Sequence, residues 1–108
     1  MNFPDIRRGD IWLIEAPDAK ARPALVVTRQ AALDGGIAGV TVARVTTTIR
    51  GGATRLALGE DEGLVRECVA NFDDLAVVRR SMLTVRLGEL AAERRHELCT
   101  SFRAVAGC

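Results

Sequence analysis

The segment Arg22-Pro23-Ala24-Leu25-Val26-Val27-Thr28 decides how the rest of the chain is interpreted. Proline has no backbone donor and a fixed φ, so it suits the start of a strand better than its interior. The apolar run that follows is short and rich in β-branched residues, which predicts a buried strand. We therefore expect Arg22 at the mouth of a sheet, with its guanidinium free to face a ligand.

A second segment, Val40 to Val45, has the same pattern and is followed by Thr46, Thr47 and Thr48. Strands that end in an arginine and in a hydroxyl cluster together offer the donors that a phosphate-sized anion requires. The ordinary alternative is a surface arginine paired with a nearby carboxylate, and threonines that reflect strand propensity and turn chemistry. The residues alone leave both interpretations open.

Length and composition predict one domain, residues 1–108, with an aliphatic core. The chain is 48% hydrophobic but only 4% aromatic, and its length suits a single core of modest size. The formal net charge of +1 does not indicate a nucleic-acid partner, yet Lys20 is the only lysine among 15 basic residues. Arginine fits phosphate bidentately, although a GC-rich genome would produce the same bias.

Metal sites, cofactors and membrane segments are not expected. The three cysteines show no Cys-x-x-Cys spacing and the chain has one histidine, which argues against zinc. No apolar run approaches about 18 residues and no signal-peptide core is evident. We therefore expect a cytoplasmic protein that uses no metal and no cofactor.

The order of the predicted elements indicates a small, mostly antiparallel barrel with a C-terminal helix. The final helix is predicted from Glu89 to about Val105, capped by Gly88. The predicted strands are residues 11–15, 23–29, 39–45, 54–58, 67–71, 75–79 and 84–87, with a helical turn at 30–33. So small a barrel leaves apolar surface to cover, which predicts a homodimer.

The available chemistry points to cleavage at a phosphate without a metal. The sequence contains no motif typical of nucleotide-binding proteins, metalloproteases or serine hydrolases. RNA carries its own nucleophile, the 2′-hydroxyl, so a protein needs only to position it and to stabilise the developing charge. Arg22 suits an electrostatic clamp and a donor to the leaving group, because an arginine side chain stays protonated in proteins and so cannot act as a base. Glu15 and Asp18 are the candidate general bases, whereas His96 is expected to be a solvated helix residue.

Several segments, in the same order and spacing, resemble the MazF/PemK family of toxin endoribonucleases. They are residues 8–13, 22–27, 42–46, 64–71 and 83–90. The resemblance implies an SH3-like or CcdB/PemK-type antiparallel barrel that forms a homodimer, with single-stranded RNA in a groove at the subunit interface. It also implies an antitoxin partner whose disordered tail folds along that groove.

The resemblance assigns the catalytic roles to Arg22 and Thr46. It implies sequence-specific, metal-independent cleavage that leaves a 2′,3′-cyclic phosphate and a 5′-hydroxyl. Thr47 and Thr48 are neighbours expected to contact phosphate rather than the matched catalytic position.

The chain departs from the family pattern in two places. The loop before Arg22, residues 16–21, is shorter than in many members, which leaves its part in gating open. A basic residue and a threonine found in many members are replaced by Ala76-Val77. We expect Arg79 and Arg80 to supply the missing positive charge.

Two other functions fit the same fold class. One is a non-catalytic toxin like the gyrase poison CcdB, whose terminal Trp-Gly-Ile differs from Val105-Ala106-Gly107-Cys108 here. The other is an inactive adaptor that only pairs with its antitoxin on DNA, against which the presence of Arg22 and Thr46 argues.

Overall fold

Six strands and two helices organise the computed structural model, which describes residues 5–107. In chain order they are β1 (Asp10–Ile14), β2 (Arg22–Val26), α1 (Gln30–Asp34), β3 (Gly39–Thr46), β4 (Arg55–Leu58), β5 (Cys68–Arg79), β6 (Leu83–Glu89) and α2 (His96–Ala106). The strands form one antiparallel sheet in the order β4-β5-β3-β2-β1-β6. The prediction of a mostly antiparallel protein with a C-terminal helix is confirmed.

The sheet buries apolar side chains on both of its faces, because successive strand residues point to opposite sides. One core contains Leu25 and Phe72 and is covered by α2, with Phe102 meeting Phe72 edge to face at 5.2 Å between ring centroids. The other contains Trp12 and Leu33, the latter from α1. Arg22, Arg44 and Thr46 share the second face and extend beyond its apolar part.

The predicted interruption at residues 72–74 is wrong, because β5 continues through it as a single strand. The partner of Ala43 on β5 is Leu75, whereas the partner of the next residue, Arg44, is Asn71. Residues 72–74 therefore form a bulge with no opposite residue on β3. The two aspartates predicted a turn, but a bulge accommodates them and re-aims their side chains without ending the strand.

A close contact between two glycines joins the edges of the sheet. Gly63 follows a single 3₁₀ turn, Glu60–Glu62, after β4 and has a positive φ of 90°. Its backbone packs on β6 so tightly that a Cβ would overlap the Leu87 carbonyl, and a Cβ on Gly88 would overlap the Glu62 carbonyl. Only glycine permits this approach, which brings the end of β4 to β6.

The predicted role of Gly88 as a helix cap, and the predicted helix start at Glu89, are both wrong. Both residues belong to β6, where Gly88 is the partner of Ile11 and Glu89 is the partner of Asp10. A 3₁₀ turn, Ala92–Arg94, separates β6 from α2. The acidic residue after a glycine was a misleading local signal, because pairing with β1 prevails over helix capping here.

Arg94 fixes the start of α2 on the barrel. Its guanidinium donates to Glu97 at 2.7 Å and to the Ala57 carbonyl of β4 at 2.8 Å, and it lies 3.4 Å from buried Glu62. These contacts hold the helix over the core. Within residues 5–107, no helix is long and apolar enough to span a membrane.

Candidate functional site

A cavity of about 670 Å³ opens where β2 and β3 leave the second core. Its wall continues from the loop at residues 16–20 to the loop at 64–66 and to β5. Its floor is apolar and includes Ile14, Ala24 and Val42. A concave surface with an apolar floor and few polar groups is typical of a ligand site.

Arg22 and Thr46 both line this cavity. Residue Ala24 of β2 is directly opposite Arg44 of β3. Arg22 lies two residues before Ala24, and Thr46 lies two residues after Arg44. Because the strands are antiparallel and alternate residues share a face, Arg22 and Thr46 lie at the same level and on the same face of the sheet. The structure therefore brings together the two side chains that the sequence singled out.

The hydroxyl of Thr46 is oriented by its own turn. Its Oγ1 accepts a hydrogen bond from the backbone N–H of Thr48 at 3.1 Å. A hydroxyl has one donor and two acceptor positions, so this contact leaves its proton available to a ligand in the cavity. Thr47 also lines the cavity, whereas Thr48 does not and contributes through its backbone.

Three further basic residues surround Arg22 at the rim, and the sequence analysis missed them: Lys20, Arg44 and Arg66. The place of Arg44 in the site could have been predicted, because Arg44 lies two residues from Thr46 on β3 and so shares its face of the sheet. Arg66 and Lys20 lie in loops, where no periodicity of the sequence indicates which way a side chain points. Together these residues form a positively charged rim around an apolar floor.

Arg80, which the sequence predicted to bind substrate, uses its guanidinium inside the protein. Arg80 is only 7% exposed and donates to the carbonyl oxygens of Leu33 at 2.6 Å and Ile37 at 3.2 Å. It anchors α1 to the end of β5. Arg79 is exposed and pairs with Gly39 at the far end of β5, and it does not line the cavity.

The candidate bases lie beside the cavity and do not line it. Glu15 accepts a hydrogen bond from the Thr84 hydroxyl at 2.8 Å, and Asp18 is exposed in the loop before β2. Within residues 5–107, the cavity-lining carboxylate is that of Asp74, which lies 3.3 Å from Arg44. His96 is exposed on α2, with Nδ1 3.0 Å from the Glu93 carbonyl, and does not line the cavity.

Cys68 also lines the cavity but is not poised as a nucleophile. Burial, and to a lesser extent the charge of Glu62, raise the pKa of its thiol. A raised pKa keeps the sulfur protonated, whereas a reactive cysteine requires the thiolate. In the part of the chain that the structure describes, no three His, Cys, Asp or Glu side chains are arranged to hold a metal.

Comparison with known proteins assigns the family. The family described as PemK-like, MazF-like toxins of type II toxin–antitoxin systems matches residues 7–106. A Mycobacterium tuberculosis protein named probable endoribonuclease MazF2 is 38% identical over 104 residues, which are 95% of this chain and 100% of the relative.

Solved structures agree with the sequence match. The Mycobacterium tuberculosis toxin MazF-mt6 superposes with a TM-score of 0.81 at 28% identity, covering 91% of this chain and 96% of its own. A mycobacterial endoribonuclease in complex with its cognate antitoxin superposes with a TM-score of 0.78 at 25% identity, covering 94% of this chain and 95% of its own. The similarity thus extends over nearly the whole chain, including its sheet and terminal helix, and the chain belongs to the PemK-like, MazF-like toxins of type II toxin–antitoxin systems.

Proposed function

We propose that this chain is a sequence-specific, metal-independent endoribonuclease toxin that cleaves single-stranded RNA. The observation that carries the proposal is the convergence of Arg22 and Thr46 on one cavity with a basic rim. The names of the relatives support the activity, since MazF2 is named a probable endoribonuclease. Cavity walls of this charge attract the phosphate backbone, and an apolar floor can accept an unstacked base.

In the proposed reaction the 2′-hydroxyl oxygen attacks the adjacent phosphorus as its proton leaves, and the bond to the 5′-oxygen breaks. The products are a 2′,3′-cyclic phosphate and a 5′-hydroxyl, which takes up a proton. Arg22 stabilises the charge that develops on the phosphate and donates a hydrogen bond to the leaving oxygen. Thr46 donates its free hydroxyl proton to a non-bridging oxygen. A DNA strand lacks the nucleophile and would not be cut.

A base role for Asp18 requires movement of the loop at residues 16–21, whereas one for Glu15, which directly follows β1, requires its carboxylate to leave the Thr84 hydroxyl. That loop already contributes Ala16, Ala19 and Lys20 to the cavity wall. Both side chains are exposed, so either carboxylate has room to move over the bound 2′-hydroxyl when RNA binds. We keep both residues as proposed proton acceptors on this ground.

We also propose a cytoplasmic homodimer that is neutralised by a cognate antitoxin. One solved relative is described as an endoribonuclease in complex with its cognate antitoxin. An antitoxin tail that is acidic and apolar would fit the cavity's basic rim and apolar floor and exclude RNA. The exposed side chains of Val65 (91%) and Val77 (71%) provide apolar surface for association. Light scattering at micromolar concentration should give the mass of two chains, and a monomer would contradict the dimer.

The decisive experiment compares RNA cleavage in EDTA by the wild type, Arg22→Ala and Thr46→Ala. We expect cleavage by the wild type only, with cyclic phosphate and 5′-hydroxyl ends. Arg103→Ala is the control, because it removes an exposed arginine on α2 away from the cavity. Undiminished cleavage by both site variants would refute the assignment of the site. Loss of wild-type activity in EDTA would refute metal independence, and intact RNA throughout would favour a non-catalytic toxin.

A further inference from the structure

The bulge of β5 sends two adjacent carboxylates to two different arginines. Asp74 turns to the cavity, where its Oδ1 lies 3.3 Å from the Nε of Arg44. Asp73 turns to the opposite side, where its Oδ2 accepts hydrogen bonds from Arg55 and Thr54, each at 2.8 Å. Asn71 supports the bulge, because its Oδ1 accepts the backbone N–H of Asp73 at 2.9 Å. The two acid–arginine pairs are alike in chemistry, and only one of them faces the cavity.

Arg44 lies on β3 two residues before Thr46, which borders the proposed scissile site. Its direct neighbours across the sheet are Ala24 on β2 and Asn71 on β5. The small side chain of Ala24 leaves room for the guanidinium to face the cavity. Alternate residues of a strand are about 6.6 Å apart, a separation comparable to that of successive phosphates in an extended RNA strand. A chain whose scissile phosphate lies between Arg22 and Thr46 therefore brings its neighbouring phosphate to Arg44.

The present partner of Arg44 is easily displaced. The side chain of Arg44 is 57% exposed and that of Asp74 is 54% exposed. Ion pairs between side chains this accessible contribute little to stability, because water competes for both charges. A phosphodiester offers two oxygens to the same guanidinium, as a carboxylate does. Exchanging one anion for the other leaves no buried charge unpaired.

We propose that Arg44 is a second phosphate-binding residue of the cavity, which holds the phosphate next to the scissile one, and that the Asp74 carboxylate occupies it until RNA displaces it. The inference rests on the proposed function, since it takes RNA as the ligand. Arg44 is thereby a substrate-positioning residue, and Asp74 is an internal competitor that lowers the affinity for RNA.

The first test measures how salt weakens binding of a non-cleavable strand. The probe is a single-stranded RNA that carries 2′-deoxyribose at the cleaved position, so it binds without reacting. Each phosphate contact in single strands contributes about 0.7 to the slope of log affinity against log salt. We expect Arg44→Gln to lower the slope by about that amount and the affinity by roughly tenfold. Arg44→Lys retains the charge and should keep the slope.

The second test compares Asp74→Asn with Asp73→Asn. Both remove one negative charge from the same bulge, but only Asp74 faces Arg44 and the cavity. We expect Asp74→Asn to bind the probe roughly two- to fivefold more tightly, and Asp73→Asn to bind like the wild type. In an Arg44→Gln background, Asp74→Asn should give no further gain, because its competition acts through Arg44.

Three results would overturn the inference. They are an unchanged salt slope in Arg44→Gln, equal effects of the two aspartate variants, or an effect of Arg44→Gln on antitoxin binding alone. Circular dichroism and thermal melting of each variant would show that the fold is retained, as expected for such exposed side chains. A wild type that binds the probe yet leaves RNA intact would refute the proposed function but not the role of Arg44, so the two failures are separable.

Discussion

Arg22 and Thr46 lie at the same level of the adjacent antiparallel strands β2 and β3, and both line one cavity. This relationship follows from register, since Ala24 and Arg44 are direct partners, Arg22 lies two positions before Ala24, and Thr46 lies two positions after Arg44 on the antiparallel strand. The sheet fixes the backbone of both residues, so their side chains start from neighbouring positions at the cavity. Preorganised donors of this kind account for large shares of catalytic rate enhancement.

The first prediction concerns the hydroxyl of Thr46. We expect Thr46→Val to lower kcat for RNA cleavage by about 10²- to 10³-fold, the usual cost of one preorganised donor. Thr46→Ser keeps the donor and should stay within about tenfold of the wild type. Single-turnover cleavage of a labelled RNA measures both.

Thr100→Val is the matched control for Thr46→Val. The Thr100 hydroxyl donates to the His96 carbonyl on exposed α2, so its loss should not affect cleavage. Equal rates for the valine and serine variants at position 46 would show that the hydroxyl has no catalytic role.

The second prediction compares how much two adjacent arginines contribute to the stability of the protein. Arg80→Met should lower the free energy of unfolding by about 2–3 kcal/mol, because it leaves the Leu33 and Ile37 carbonyls without their buried donor. Arg79→Met should change it by less than about 0.5 kcal/mol, since that side chain is exposed. Urea unfolding followed by circular dichroism gives both values, and similar losses at both positions would contradict the assignment.

The third prediction tests the glycine contact that joins the sheet edges. Gly63→Ala should destabilise the protein by about 3 kcal/mol or more, because its Cβ would overlap the Leu87 carbonyl at a positive φ. Gly51→Ala is the control, since nothing lies within 4 Å of a Cβ there. Thermal unfolding should show a large loss for the first and almost none for the second. A stable Gly63→Ala protein would mean that the edges are not in contact.

The fourth prediction concerns the pH dependence of α2 docking. Hydrogen bonding from Arg94 lowers the pKa of Glu97 below its ordinary value. The folded state therefore favours the carboxylate, and this stabilisation is present above the ordinary glutamate pKa of about 4.3. It is lost as the pH falls through the lower, folded-state pKa.

Unfolding free energies at several pH values would test the Glu97 contribution. The wild type should have a higher free energy of unfolding than Glu97→Gln near neutral pH, and this difference should shrink in acid. Glu93→Gln removes an exposed carboxylate nearby and serves as the control. A difference between wild type and Glu97→Gln that does not vary with pH would exclude the ion pair as its source.

Local pattern predicted part of the fold and of the site correctly. Proline before a β-branched run predicted a strand at residues 23–29, where β2 is Arg22–Val26, and alternation predicted one at residues 54–58, where β4 is Arg55–Leu58. The same patterns predicted Arg22 and Thr46 at the ends of two strands, and these ends are neighbours in the sheet. The burial of Arg80 was not predictable, because an arginine that follows a strand looks the same in sequence whether its guanidinium meets solvent or buried carbonyls.

The sequence by itself determined where most of the strands lie and that Arg22 and Thr46 stand at the ends of two of them, because strand formation depends largely on the spacing of neighbouring residues. Only the tertiary structure decided the continuity of β5, the contact of Gly63 with Gly88, and the pairing of Arg44 with Asp74. Each of these depends on the register between segments far apart in the chain. Register is set by the packing of the whole core, so no local window of sequence contains it.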